Sequence, residues 1–289
     1  VPDITIPARL AEYAARRDEQ RAWLARLPER VGELTERWSL VVGEPFEPGG
    51  VAAWVAPARQ GDDDLVLKVA FRHCEAEHEA DGLRTWNGAG AVQLHASFDA
   101  DDTVGMLLER CRPGTGLDQR TGHEQDGVIA ALLRRLWIEP ETPHLFRPLQ
   151  QMCNDWADAF ERKQADGRVT IDPGLARAGI ELFRTLPASA ERNVLLATDL
   201  HAENVLAAQR EPWLVIDPKP YVGDPTYDPL QHMLNCADAL HADPDALLRR
   251  MAELCDLDAD RLRLWLFARC VEATTEWPGL DEVARQLAP

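Results

Sequence analysis

Between Ala8 and Trp38 the apolar positions Leu10, Tyr13, Ala14, Trp23, Leu24, Leu27, Val31 and Leu34 recur near helical spacing, which predicts one or two helices broken near Pro28. The pattern then shortens. Ser39 to Val42 and Val51 to Pro57 read as strands joined by the turn GEPFEPGG, and Leu65 to Ala70 reads as a third strand, apolar except for Lys68. Helical spacing returns from Cys74 to Trp86. Two further strands are predicted, Val92 to Ser97 and Val104 to Leu108, on either side of an acidic turn at Asp99 to Asp102. From there the chain is mainly helical, over Gly122 to Trp137, Pro148 to Asp166 and Leu175 to Leu186, and again after Asp228 with breaks near Asp243-Pro244 and Pro278.

The helical part is interrupted once by two short apolar runs, Val194 to Leu196 and Trp213 to Ile216, that enclose a polar segment. Asp199 follows the first run, Asn204 lies between the runs, and Asp217 directly follows the second. A tight loop can turn Asp199 toward a substrate hydroxyl, and a hairpin crossing would bring Asp217 beside Asn204. Phosphoryl transfer from a nucleotide needs this set: a carboxylate as base, and an amide and a carboxylate to hold Mg²⁺ through oxygen. Read singly, each piece is also ordinary turn chemistry. The order base, amide, apolar strand, acid is what points to a kinase.

That chemistry requires a lysine upstream. Lys68 sits inside an apolar strand, where its charge needs a partner, and the following helix carries Glu75, Glu77 and Glu79. Glu79 is favoured, because the face bearing Ala76, Ala80 and Leu83 turns it toward the sheet. Gly49 and Gly50 would let the backbone approach phosphates closely. Glu109, Arg110 and Cys111 form the exit from the last strand, where backbone groups could read an adenine edge. In the final helix, Asp260 to Trp277, Glu272 is a candidate contact for a cationic substrate, although core packing explains the helix's Trp and Leu residues.

Composition narrows the partners. The 289 residues carry 31 Lys and Arg against 49 Asp and Glu, a net charge of -18, which disfavours nucleic acid and would draw in a cationic or hydroxyl-rich small molecule. Six cysteines at wide intervals form no C-x-x-C pair, so neither a zinc site nor a disulfide framework is indicated, and a cytoplasmic location fits. No apolar run approaches the ~20 residues of a membrane helix. The opening VPDITIPARL lacks the basic-then-apolar order of a secretion signal.

LVLKV, the glutamate helix, MLLER, DLHAEN and IDPKPYVGDPTYD follow one another in that order. From about Leu40 to its C-terminus the chain resembles the aminoglycoside and hydroxyurea phosphotransferase family, especially its streptomycin 6-phosphotransferase branch. The resemblance implies an α+β, bilobal protein-kinase-like fold: a small five-stranded antiparallel N-lobe with a helix, and a larger, mainly helical C-lobe. The division would be 1–110, nucleotide-binding with a helical extension, and 111–289, with the catalytic loop and substrate pocket. It implies ATP or GTP with Mg²⁺, Lys68 on phosphate, Glu79 holding Lys68, Asp199 as base, and Asn204 and Asp217 as metal ligands. His201 would order the loop and Asp224 would brace it. Two departures stand out: Ala197-Thr198 where such enzymes commonly have His-Gly, and Pro-Lys after Asp217 where protein kinases have Phe-Gly.

The expected function is transfer of the γ-phosphoryl group to a hydroxyl of an aminoglycoside or related amino sugar, with antibiotic resistance or sugar salvage as the consequence, by a monomer or weak dimer. The alternatives are a kinase of another small alcohol or amine, such as hydroxyurea, and a nucleotide-binding protein without catalysis.

Overall fold

The computed structural model describes residues 3–73 and 77–289, and the elements below are those of the described residues. The chain divides into two compact units, Val1–Gly114 with Ala208–Pro212 and Thr115–Ala207 with Trp213–Pro289.

In the first unit, helices α1 (Ala8–Ala14) and α2 (Asp18–Arg37) precede strands β1 (Val41–Val42), β2 (Ala53–Gln60) and β3 (Asp63–Phe71), helix α3 (Glu79–Trp86), and strands β4 (Leu94–Ala100) and β5 (Thr103–Glu109). The strands form one antiparallel sheet in the order β1-β2-β3-β5-β4. Alternation assigns its faces. Trp54, Ala56 and Ala58 of β2 and Leu65, Leu67 and Val69 of β3 pack with Leu10, Trp23, Leu27, Val31 and Leu34 of the first helices. Lys68 falls out of step with that set and so points to the opposite face.

Pro28 does not break the helix. α2 runs through it, and the interruption comes earlier, between Ala14 and Asp18. An interior proline costs about 3 kcal/mol. Trp23, Leu27, Val31 and Leu34, all buried and placed on both sides of Pro28, each contribute about 1.5–3 kcal/mol of burial and outweigh it. Helix α3 starts at Glu79, and the part of the predicted helix over 74–76 lies outside the described residues.

The second unit comprises α4 (Gly122–Leu136), β6 (Arg147–Pro148), α5 (Leu149–Ala165), α6 (Pro173–Thr185), β7 (Val194–Leu196), β8 (Val205–Ala207), β9 (Trp213–Val215), β10 (Tyr221–Gly223), α7 (Leu230–Asn235), α8 (Ala237–Ala242), α9 (Pro244–Cys255), α10 (Ala259–Ala273) and α11 (Leu280–Leu287). Its centre is α10, which buries Trp265, Leu266, Phe267 and Ala268. Trp265 meets Tyr227 and Phe183 edge-on at 5.1 and 6.1 Å. Gly179 lets α6 approach α10 closely, since a Cβ there would lie 2.6 Å from Val271 Cβ. Around this core the short strands are arranged as β6-β10-β7 and as the hairpin β8-β9. No helix among the described residues is long and apolar enough to cross a membrane.

Candidate active site

In the first unit, Lys68 Nζ lies 2.7 Å from both carboxylate oxygens of Glu79. Glu79, Leu83 and Trp86 share the buried stripe of α3 at helical spacing, which turns the carboxylate toward the sheet. Both partners are buried, so neither charge is tolerable without the other.

The other positions expected to meet the nucleotide are engaged within the unit. Gly49 has φ +76°, and a Cβ there would lie 2.8 Å from Pro7 Cβ, so the turn's own packing demands glycine. A Cβ on Gly50 would meet only ordinary contacts, with Ala53. The Glu109 carboxylate accepts hydrogen bonds from Gln93 N at 3.0 Å and from Arg210 Nε and Nη2 at 2.9 Å each. Arg110 reaches Asp64 at 2.9 Å and lies over the Phe46 ring. Cys111 is buried, which pushes its thiol up to about 11. Side chains of Glu109 and Arg110 thus hold the strand end, and the Glu109 backbone N–H donates to Gln93 O at 2.8 Å.

In the second unit, β7 is wholly buried and ends at Leu196, and Ala197 after it is buried too. The chain turns sharply at Thr198, where φ is +49° and Asp199 N donates to Ala197 O at 2.7 Å. That i to i+2 bond makes a γ-turn, a strained conformation that presents the next side chain. After it, Asn204 N donates to His201 O at 2.9 Å and the Asn204 amide nitrogen to Asp199 O at 2.9 Å. The hairpin pairs Val205 with Val215, and Ile216 N donates to Asn204 O at 2.9 Å. Asp217 follows at φ +53°. The hairpin thus places Asn204 opposite the residue that precedes Asp217.

Because the Asn204 amide nitrogen is used on Asp199 O, its carbonyl oxygen is the end available as a ligand. With the Asp217 carboxylate this makes an oxygen-only donor pair, which fits a hard divalent cation such as Mg²⁺.

Among the described residues Asp224, expected to brace the Asp199 loop, makes no hydrogen bond to it. Its carboxylate accepts from Thr226 N at 2.9 Å, Arg261 Nε at 2.7 Å and Trp265 Nε1 at 2.7 Å, fixing the segment after β10 to α10. The brace is Asp228, which accepts from Thr198 N at 2.7 Å, Ala197 N at 3.1 Å and Trp137 Nε1 at 2.9 Å. Both acids stand in one string, and only the path of the chain after β10 decides which reaches the loop. Burial raises the Asp228 carboxyl to about 6 against the pull of those three donors.

Burial, partly opposed by Asp199 and Glu203, lowers the pKa of His201 and favours the neutral ring. Its Nδ1 is buried with no hydrogen-bond partner among the described residues. Glu272 forms an internal ion pair with Arg269, which lies over the Trp156 ring, so its carboxylate is committed inside the helical core. Lys219 had no assigned role. Its Nζ lies 2.5 Å from Asp199 Oδ2. The signal was present, since Lys219 stands two positions after Asp217 in the most specific string of the chain.

Among the described residues one further group has metal-ligating side chains, Asp126, His232 and Cys236. Cys236 Sγ lies 3.6 Å from His232 Nε2 and 3.9 Å from Nδ1, and Asp126 is shared between His232 at 2.8 Å and Arg250 at 3.3 Å. It is an internal polar network.

The family of aminoglycoside/hydroxyurea antibiotic resistance kinases matches residues 37–279. The chain belongs to that family. A streptomycin 6-kinase of Streptomyces griseus is 33% identical over 280 residues, spanning 94% of this chain and 90% of that kinase. A hydroxyurea phosphotransferase of Kitasatospora aureofaciens is 33% identical over 277 residues, 93% of this chain and 79% of that protein. Among solved structures, a thermostable mutant of an aminoglycoside phosphotransferase in complex with ADP and hygromycin B matches with a TM-score of 0.55 at 14% identity, covering 89% of this chain and 94% of that one. The fold of this family member is thus protein-kinase-like, as its motifs implied.

Proposed function

We propose that this chain transfers the γ-phosphoryl group of ATP to a hydroxyl of a cationic aminoglycoside of the streptomycin type. The observation that carries the reading is the arrangement of Asp199, Asn204 and Asp217: a base on a strained turn, an amide tied to that turn, and an acid registered beside the amide by a hairpin. In this reading the first unit binds the nucleotide, with Lys68 on its phosphates and the backbone of residues 109–111 on its base. Asn204 and Asp217 hold Mg²⁺, which supplies charge neutralisation on the phosphates when bound. Asp199 orients the acceptor hydroxyl and takes its proton. The transition state is loose, so positioning and charge provide most of the acceleration.

Aminoglycosides are polycations at neutral pH, and a net charge of -18 favours their encounter. A second reading, hydroxyurea as acceptor, is favoured by the equal identity to the hydroxyurea phosphotransferase. Hydroxyurea is uncharged and gains nothing from that field.

ADP release with Mg²⁺-ATP, measured across streptomycin, hydroxyurea and glucosamine, tests the proposal, and phosphorus NMR of the product locates the new ester. Turnover with streptomycin, with a KM that rises with ionic strength, is the expected result. Turnover with hydroxyurea alone selects the second reading, and none with any acceptor removes both.

A further inference from the structure

A β-branched residue enters the left-handed region only under strain, and Thr198 is held there at φ +49°. Its hydroxyl donates to Lys219 O at 2.5 Å, and Lys219 N donates to Ala197 O at 2.9 Å. Lys219 is therefore fastened by its backbone to the two residues that precede Asp199. Its side chain completes the circuit, with Nζ 2.5 Å from Asp199 Oδ2. The side chains of this pair are 27% and 19% exposed, against 9% and 1% for Lys68 and Glu79, so it remains open to an incoming ligand. Glycine at 198 would relieve the backbone but could donate nothing to Lys219. The departure from His-Gly thus falls on the residue whose side chain holds the lysine.

We propose, resting on the functional reading above, that Lys219 is a positioning residue for phosphoryl transfer and that Thr198 serves at a strained position to hold it. With Oδ2 occupied by the ammonium, Oδ1 of Asp199 receives the acceptor proton. The acceptor oxygen forms the new bond to phosphorus, the bond to the departing ADP oxygen breaks with its electron pair leaving on ADP, and the proton ends on Asp199. The ammonium keeps the carboxylate in that orientation and brings one positive charge to the group in transfer.

Lys219→Met, Lys219→Ala and Thr198→Gly test this with Mg²⁺-ATP and streptomycin. Lys219→Met is expected to lower kcat by about 100-fold with the KM for ATP nearly unchanged. Streptomycin binding without nucleotide, measured by calorimetry, should be as tight or tighter, because Asp199 is no longer neutralised. Added methylammonium should restore part of the turnover of Lys219→Ala. Thr198→Gly should lower kcat by about tenfold while its melting temperature holds or rises, a split that a structural role would not produce.

Wild-type kcat in either Lys219→Met or Thr198→Gly overturns the inference, as does a loss of streptomycin affinity in Lys219→Met that matches its loss of kcat. Should the lysine variants fail to fold, Thr198→Gly decides alone. A wild-type protein that transfers phosphate to no acceptor overturns the functional reading, and this inference with it.

Discussion

Thr198 N donates to Asp228 Oδ1 at 2.7 Å, and through that bond a carboxylate from beyond β10 sets the turn that presents Asp199. Asp228→Asn would place an amide group against backbone donors, leaving at least one buried N–H unsatisfied at about 1–3 kcal/mol. The expected outcome is a lower melting temperature and a reduced kcat with little change in the KM for ATP, read by thermal unfolding and steady-state kinetics.

The same carboxyl predicts a pH dependence. Its folded value of about 6 lies above the ordinary 3.8, so the folded protein binds this proton more tightly than the unfolded chain does. Its contribution to stability is therefore greatest below about pH 4 and is lost as pH rises toward 6. Protonation also turns one acceptor oxygen into a donor, facing the amides of Ala197 and Thr198. Activity should then fall on the acid side with an apparent pKa near 6, while the urea-unfolding free energy of wild type relative to Asp228→Asn rises from pH 7 to pH 4.5. A flat difference in that free energy would remove Asp228 as the titrating group.

Lys68 and Glu79 form a buried pair, and removal of one partner takes away the other's counter-charge at 2.7 Å in a buried setting, a loss of about 3–5 kcal/mol. Lys68→Met should destabilise the first unit and abolish nucleotide binding together. The double variant Lys68→Met, Glu79→Leu should recover much of the stability and none of the binding. Calorimetry with ATP alongside thermal unfolding separates the two effects.

Asp199→Ala and Asp217→Ala should fail in different ways. The first is expected to lower kcat by about 10²–10⁴-fold with nucleotide affinity nearly unchanged. The second should weaken Mg²⁺-ATP binding, so that raising Mg²⁺ recovers part of its turnover. Equal turnover by the Asp199 variant would overturn its assignment as base.

Gly179→Ala would normally stabilise a helix interior by about 1 kcal/mol. Here the added methyl would meet Val271 Cβ and Cγ2 at 2.6 Å, on a side chain with little rotamer freedom. Steric overlap should win, with a fall in stability of about 1–3 kcal/mol measurable by urea unfolding.

The fold was largely legible because its signals are local and periodic. Alternation along β2 and β3, the stripe of α3 and the helical repeat of the second unit each report one buried face, and the motifs between them come in a fixed order. Pro28 misled for a local reason: propensity marks a break, while burial of Trp23, Leu27, Val31 and Leu34 across it is a tertiary effect. Asp224 misled because two acids four positions apart are equivalent until the chain's course after β10 sends one to Arg261 and Trp265 and the other to the Asp199 turn. Lys219 stood in a string already singled out, yet nothing in its spacing shows that its ammonium meets Asp199.

By itself the sequence determined which elements form, which family they belong to, and that Asp199, Asn204 and Asp217 lie on one loop and hairpin, because period, turn chemistry and residue order are properties of neighbouring positions. Only the tertiary structure decided which carboxylate braces the turn, which lysine touches Asp199 and which carbonyl the Thr198 hydroxyl reaches. Those are distances between side chains remote along the chain, and folding alone fixes them.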